Sequence, residues 1–345
     1  DGVDRAFNIS VGAASAGDKS KIGLVYNSRQ QIVSLVKPFL AANMLINGSS
    51  EESVPVPSGG TVNVSVLWQN NMPTQVTDAE IRVSLAGNAF DPASVDSTNG
   101  FYDSSTNTIV WNKTTAAALG SIEPSDRGTV DFSFKVAPLF SGSSSIISKP
   151  TISFAVSIKG KQSSEGGSVA QLTASETKKA VVSSDLGFST QALYASGPFS
   201  NTGPVPPRAG EPTTYTVTWT VTNSANALAN GAASAILPTY VDWVGTTTPA
   251  SEKISYDDTT RTIRWNIGQV PSGAGSSAAA RMVSFQVRIT PSTSQVGSTP
   301  KLVLETAVTA RDTFTGETLS ANRPAISTRL DNDPGAPSTS GVVGN

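Results

Sequence analysis

Two stretches decide the fold: Tyr102-Asp-Ser-Ser-Thr-Asn-Thr-Ile-Val-Trp-Asn112 and Tyr256-Asp-Asp-Thr-Thr-Arg-Thr-Ile-Arg-Trp-Asn266. They lie 154 residues apart and agree at seven of eleven positions. Self-similarity at a fixed period marks a repeated structural unit. In each stretch an Asp/Ser/Thr cluster suited to a turn leads into a short run where Ile and Trp share one face.

The match extends in both directions. Val62, Val64, Val66 and Trp68 alternate with Asn63, Ser65 and Leu67 and end at Gln69-Asn70. Tyr215, Val217, Trp219 and Val221 alternate with threonines and end at Thr222-Asn223. Both are period-2 strands with one buried face. Further on, Val130, Phe132, Phe134 and Val136 correspond to Val283, Phe285, Val287 and Ile289, each run closed by a proline, Pro138 or Pro291. Proline cannot donate to a ladder and ends a strand. Ile152, Phe154, Val156 and Ile158 then parallel Leu302, Leu304, Thr306 and Val308. No helical pattern of the length a parallel crossover needs intervenes. Short strands punctuated by Gly, Pro, Asn and Ser predict an all-β chain of tandem immunoglobulin-like β-sandwiches.

The spacing places one repeat at 35–183 and a second at 184–331. Pro38-Phe39 through Ile46 resembles Gly187-Phe188 through Ala195, which predicts an edge strand there rather than a helix. Ala6 to Val11 and Lys21 to Val33 resemble the closing strands of the first repeat, Thr151 to Val156 and Ser168 to Val182. Residues 1–34 therefore read as terminal strands of an incomplete preceding repeat, or as a segment donated to a neighbour, unless Asp1 only marks the start of a cut fragment. Residues 332–345 have linker composition and are expected to be a flexible tail.

Composition narrows the function. The chain has 345 residues, 14% of them charged, and a net charge of −2. Typical soluble domains carry roughly 25% charged residues. Such a surface attracts neither nucleic acid nor an anionic membrane. There is no Cys and no His. That removes disulfides, zinc–thiolate sites, thiol nucleophiles and the usual general base near neutral pH. No stretch is long and apolar enough to span a membrane.

The order of features in each copy resembles the conserved-repeat, immunoglobulin-like domain found in tandem arrays in bacterial and archaeal surface proteins. The residues are Val217 to Asn223, Leu237-Pro238 with Val241 and Trp243, Ile263 to Trp265 with Gly268, and Val283 to Ile289. The first copy departs from this, with Leu85-Ala86 for Leu-Pro and Asn88-Ala-Phe90 after it. The resemblance implies a cell-envelope, stalk, adhesin, S-layer or filament component. Its motifs are structural and imply no activity.

Candidate sites are few. Asp257 and Asp258, with Asp103 in the first copy, precede Thr/Asn-rich turns; Asp331 and Asp333 close the second repeat. Clustered carboxylates hold Ca2+ through oxygen ligands, but Asp also caps turns with no metal at all. Alternation puts Trp111, Trp265, Trp68 and Trp219 on core faces and leaves Trp243 undetermined. Trp243, Tyr240 and Tyr194 are the candidates for a glycan platform. Asn8, Asn47, Asn63 and Asn112 head glycosylation sequons. Lys135 and Lys159 face outward, and no Lys sits on an apolar face at a matching place in both copies, which argues against a Lys–Asn crosslink. Glu123, Glu305 and Asp242 form no visible catalytic pair.

The expectation is a non-enzymatic structural component of the cell surface, with no cofactor. Its partners are neighbouring copies of itself or other envelope proteins, and strand donation by residues 1–34 is one route to a polymer. The alternative is an adhesin or carbohydrate-binding module with a glycan partner.

Overall fold

The computed structural model describes residues 3–35, 40–139, 147–163, 169–336 and 341–345. Pro38 and Phe39 lie outside them. Among the described residues the helical content is three 3-10 turns, at Pro92–Ser94, Ala117–Gly120 and Thr293–Gln295. The fold is all-β.

In chain order, β1 (Val3–Ala14) and β2 (Ile22–Leu35) form a hairpin. The first sandwich holds β3 (Leu40–Ile46), β4 (Ser53–Val56), β5 (Thr61–Asn70), β6 (Val76–Gly87), β7 (Asp96–Ser97), β8 (Phe101–Asp103), β9 (Thr108–Trp111), β10 (Ser121–Ile122), β11 (Arg127–Lys135), β12 (Thr151–Ser163) and β13 (Val169–Val182). The second holds β14 (Leu186–Leu193), β15 (Thr213–Asn223), β16 (Leu228–Ile236), β17 (Val241–Thr248), β18 (Lys253–Asp257), β19 (Thr262–Val270), β20 (Arg281–Ile289), β21 (Lys301–Val303), β22 (Thr306–Asp312), β23 (Thr318–Arg323) and β24 (Ile326–Ser327).

The two sandwiches share one topology. Sheet order β3-β5-β11-β7 in the first matches β14-β15-β20-β17 in the second. The opposing sheets match too, as β8-β9-β6-β12-β13 and β18-β19-β16-β22-β23. The first copy adds β4, which pairs in parallel with the outer edge of β13. Register repeats with the sequence: Phe132 lies opposite Val64, as Phe285 lies opposite Val217. One leading strand shifts. Leu40 lies opposite Asn70 and Leu186 opposite Asn223, so Ala42, not Phe39, takes the place of Phe188. The sequence match followed the aromatic identity, whereas the ladder follows the buried Asn at each strand end.

Period-2 alternation becomes burial directly. In β5, Val62, Val64, Val66 and Trp68 are buried while Thr61, Asn63, Leu67 and Gln69 face water. Met44, Ile81, Trp111, Phe134 and Phe154 meet from both sheets in the first core. Tyr215, Trp219, Trp265, Phe285 and Val308 do so in the second. Burying each such side chain contributes about 1.5–3 kcal/mol.

Gly128 lies directly opposite Trp68 in the ladder. A Cβ at Gly128 would collide with Trp68 Cζ2, so the indole can lie over this strand only if no side chain is there. Gly128→Ala is expected to destabilise the first sandwich by about 1–3 kcal/mol through overpacking. Urea unfolding measures it, and an unchanged midpoint would show that the indole has room to swing away.

Residues 341–345, expected to belong to a flexible tail, are docked on the second sandwich. Val343 is buried. Its amide donates to Ser298 O, its carbonyl accepts from Gly297 N, and Gly344 N donates to Pro207 O. Pro/Gly/Ser composition disfavours helix and strand, but one apolar anchor and a few backbone bonds suffice to hold such a segment.

Candidate functional site

The Asn that ends β5 and β15 is a corner plug. Asn70 is buried, and its Nδ2 donates to the carbonyls of Thr74 and Ile122 at 2.9 and 3.0 Å. Asn223 repeats this with Asn226 O and Pro271 O, at 2.6 and 2.9 Å. An amide can saturate several orphaned carbonyls where a sheet turns, which no apolar residue can do.

The second corner is continuous with a polar junction between the sandwiches. Asp312, at the end of β22, is 0% exposed. It accepts from Ser184 N (2.8 Å), Asn226 Nδ2 (2.9 Å), Phe314 N (2.8 Å) and Thr315 N (3.1 Å). Asn226 Nδ2 also donates to Val182 O, the last residue of β13. The Ser184 hydroxyl donates to Asn223 Oδ1 and accepts from Ala225 N. Ala225 itself packs into the first core. A side chain of the second sandwich thus fixes the backbone that leaves the first.

The calcium candidates do not converge. Asp257 Oδ1 accepts the amides of Thr259 and Thr260, and the Thr260 hydroxyl and amide hold its carboxyl below the ordinary aspartate range. Asp103 does the same with Ser105 and Thr106. Asp258 is exposed. Asp331 faces Arg329 at 3.7 Å, whereas Asp333 turns inward. Among the described residues no three acidic side chains gather as a metal site would need.

Asp333 staples the end of the second repeat to the strand that opens it. Its carboxylate accepts from Tyr194 N, Ala195 N, Ser196 N and the Ser196 hydroxyl at 2.6 to 3.1 Å. Burial alone would raise its pKa, but the Ser196 hydroxyl and the amides of Tyr194, Ala195 and Gly335 outweigh it and hold the group below the ordinary aspartate range. A depressed folded pKa gives stability that is present above the unfolded value, near 3.9, and lost as pH falls through the folded value. Asp333→Asn is expected to cost about 2 kcal/mol at neutral pH, because its amide nitrogen cannot accept. The gap to the parent should begin to narrow below about pH 4, the unfolded value, and close as the pH falls through the folded value. Denaturation midpoints measured from pH 7 to pH 3 check this, and a gap independent of pH would refute it.

The other candidates occupy separate structural places. Trp68, Trp111, Trp219 and Trp265 are buried. Trp243 is half-buried, with its ring stacked on Tyr256 at 5.6 Å and tilted against Phe285 at 5.2 Å. Tyr194 donates its hydroxyl to Gly203 O, and Tyr240 packs half-buried against the second core. Glu123 accepts from Gln75, Glu305 from Asn322, and Asp242 pairs with Arg288. Asn8 and Asn63 are exposed on their strands; Asn47 accepts from Asn63 N, and Asn112 from Thr114 N.

One feature was not legible in the sequence, and one was legible only as strands. Lys178 is buried on the inward face of β13, its ammonium on Ser50 O and 3.6 Å from Glu176. Glu176 accepts from Met44 N. Two charged residues in an alternating apolar register hide the strand's inward face. The second feature is the β1–β2 hairpin. Phe7, Ile9 and Val11 lie on one face of β1, 55%, 58% and 63% exposed. Neither strand pairs with any other strand among the described residues.

No protein-family model matches the chain, and no curated protein does. Solved structures do. The C-terminal domain of the Streptococcus pyogenes antigen I/II-family protein AspA is similar at 13% identity with a TM-score of 0.32, covering 84% of this chain and 100% of that one. BcpA, the major pilin subunit of Bacillus cereus, is similar at 8% identity with a TM-score of 0.31, covering 91% and 78%. A cohesin module from a Clostridium perfringens family 33 glycoside hydrolase is similar at 14% identity with a TM-score of 0.27, covering 41% and 96%. At such scores and identities these likenesses assign no activity to this chain.

Proposed function

We propose that this chain is a non-catalytic structural component of the cell surface, an S-layer, stalk or filament subunit built from immunoglobulin-like repeats at 35–183 and 184–331. The observation that carries this reading is the buried junction. Asn226 Nδ2 binds Val182 O at the end of the first sandwich and Asp312 in the second, while Ser184, in the link between them, is held by Asp312, Asn223 and Ala225. A chain whose buried polar groups tie its repeats together is suited to holding them at a fixed angle under load. The carboxylates weighed for metal binding or acid–base work are each held in a turn, an ion pair or a side-chain bond, or stand exposed, which fits a scaffold. No helix among the described residues is long and apolar enough to cross a membrane.

The glycan-binding alternative needs an exposed aromatic platform. Trp243 spends its ring on Tyr256 and Phe285, so it offers none.

Immunogold labelling of intact source cells tests the proposal. Label on the outer surface, on an array or on filaments, is the expected result. Label only after permeabilisation would overturn it. A glycan array probed with the full chain is expected to stay silent, and saturable binding to one glycan class would favour the adhesin reading.

A further inference from the structure

We propose that the β1–β2 hairpin is the closing hairpin of a third sandwich, and that a further copy of this repeat, on its N-terminal side in the same polypeptide, covers its apolar face. The occupant is read from the β12–β13 hairpin of the first sandwich. There Phe154 lies opposite Lys178 and Val156 opposite Glu176. In the free hairpin Ile9 lies opposite Arg29 and Val11 opposite Asn27. Both hairpins therefore set an apolar strand against a partner carrying a cation and then an acceptor, two residues apart.

In the sandwich those polar groups have a task. Lys178 donates to Ser50 O, and Glu176 accepts from Met44 N on β3. The apolar face of β12 is covered by the opposite sheet, and its free edge pairs antiparallel with β6. Phe154 and Val156 are 1% exposed, whereas Ile9 and Val11 are more than half exposed. Among the described residues, nothing in the hairpin's sheet corresponds to β6 or to the opposing sheet. An unpaired edge beside an apolar face is a template for an added strand.

Chain order selects the source. Each closing hairpin leads within a few residues into the next leading strand: Leu35 to Leu40, as Val182 to Leu186. Both sandwiches already hold their own closing hairpins, β12–β13 and β22–β23, so neither offers this hairpin an empty place in a second copy. A repeat that enters from the N-terminal side continues the same order.

The inference rests on the array reading above but fails separately from it, because surface labelling does not depend on what β1 binds. The test uses the full 345-residue chain and a fluorescein-labelled peptide with the sequence of β6, Val76–Gly87. In the first sandwich this segment pairs with β12, and the inference requires it to pair with β1. Saturable binding by anisotropy is expected, with amide-exchange protection confined to residues 3–14. Ile9→Thr combined with Val11→Thr should weaken binding at least tenfold, while tryptophan fluorescence shows both sandwiches intact. No binding at millimolar peptide, or binding indifferent to the double substitution, would overturn it. So would concentration-dependent self-association of the chain that the double substitution abolishes, since a second copy would then be the occupant.

Discussion

Trp265→Ala is expected to destabilise the second sandwich by about 4 kcal/mol, the range for emptying a fully buried aromatic site. For a unit of this size that lowers its melting temperature by roughly 8–16 °C. The indole is 0% exposed and lies opposite Ala233 in the ladder. Ala233 is too small to fill the void, so only Ile254 on the opposite side can lean into it, and the facing strands are held by their hydrogen bonds. A second loss adds to the cavity. Trp265 Nε1 donates to Glu252 Oε2 at 2.8 Å, and Arg281 holds the same carboxylate at 2.9 Å. Removing the indole takes one donor from a carboxylate whose side chain is almost wholly buried. Trp265→Phe separates the terms: it keeps most of the packing and should cost only about 1–2 kcal/mol. The repeat supplies an internal control. Trp111 takes the equivalent place, opposite Ile81, and its Nε1 bonds the Thr98 carbonyl instead of a charge. Trp111→Ala should therefore cost less, because no carboxylate loses a donor. Calorimetry of the three variants checks the order, and equal losses for Trp111→Ala and Trp265→Ala would refute the part assigned to Glu252.

What was legible in the sequence followed from period-2 burial. Val62 to Trp68 declare their buried face because Asn and Ser fill alternate positions; in β15 the expectation of one buried face fails, because Thr216 and Thr218 are buried along with Tyr215 to Val221. The repeat then fixes topology, since the same strands in the same order pair in the same way. Where burial is polar, the pattern fails. Lys178 and Glu176 occupy inward positions of β13, where hydropathy reads surface. Asp312 and Asn226 look like turn residues, which they are, but their turns close against the neighbouring sandwich. Asp331 and Asp333 show the limit most directly. Two residues apart, they read alike, yet one meets a surface arginine and the other a cluster of amides, a difference set by the path of residues 194–196 more than a hundred positions away. The hairpin's register was partly legible: the resemblance of residues 6–33 to the closing strands of the first repeat is present in the sequence, but its unpaired edge is visible only once the strands are placed.

Asp312→Ala carries the second large effect, because it opens the junction instead of a core. Its carboxylate is the shared acceptor for four N–H groups, two in its own turn, one on Ser184 and one on Asn226. The donors of Ser184 and Asn226 stay buried when the acceptor goes, those of Phe314 and Thr315 stay half-buried, and each unmatched buried donor costs about 1–3 kcal/mol. Deleting the charge itself is favourable, and water entering the vacated space recovers part of the rest, which brings the expected loss to about 3 kcal/mol. Asp312→Asn does not rescue it. The ligands are donors on both oxygens, so one side of the amide must aim an NH2 group at an N–H. The consequence reaches beyond stability. Ser184 N lies in the link between β13 and β14, and Asn226 Nδ2 bridges Asp312 to Val182 O. Without Asp312 the link loses its one charged anchor on the second sandwich, and the Ser184 hydroxyl, still bonded to Asn223 and Ala225, holds it less firmly, while both cores stay packed. Limited proteolysis should therefore cut between Val182 and Leu186 in the variant and not in the parent, at a temperature where tryptophan fluorescence is unchanged. Cleavage elsewhere, or none, would show that Ala225 in the first core holds the junction without the carboxylate.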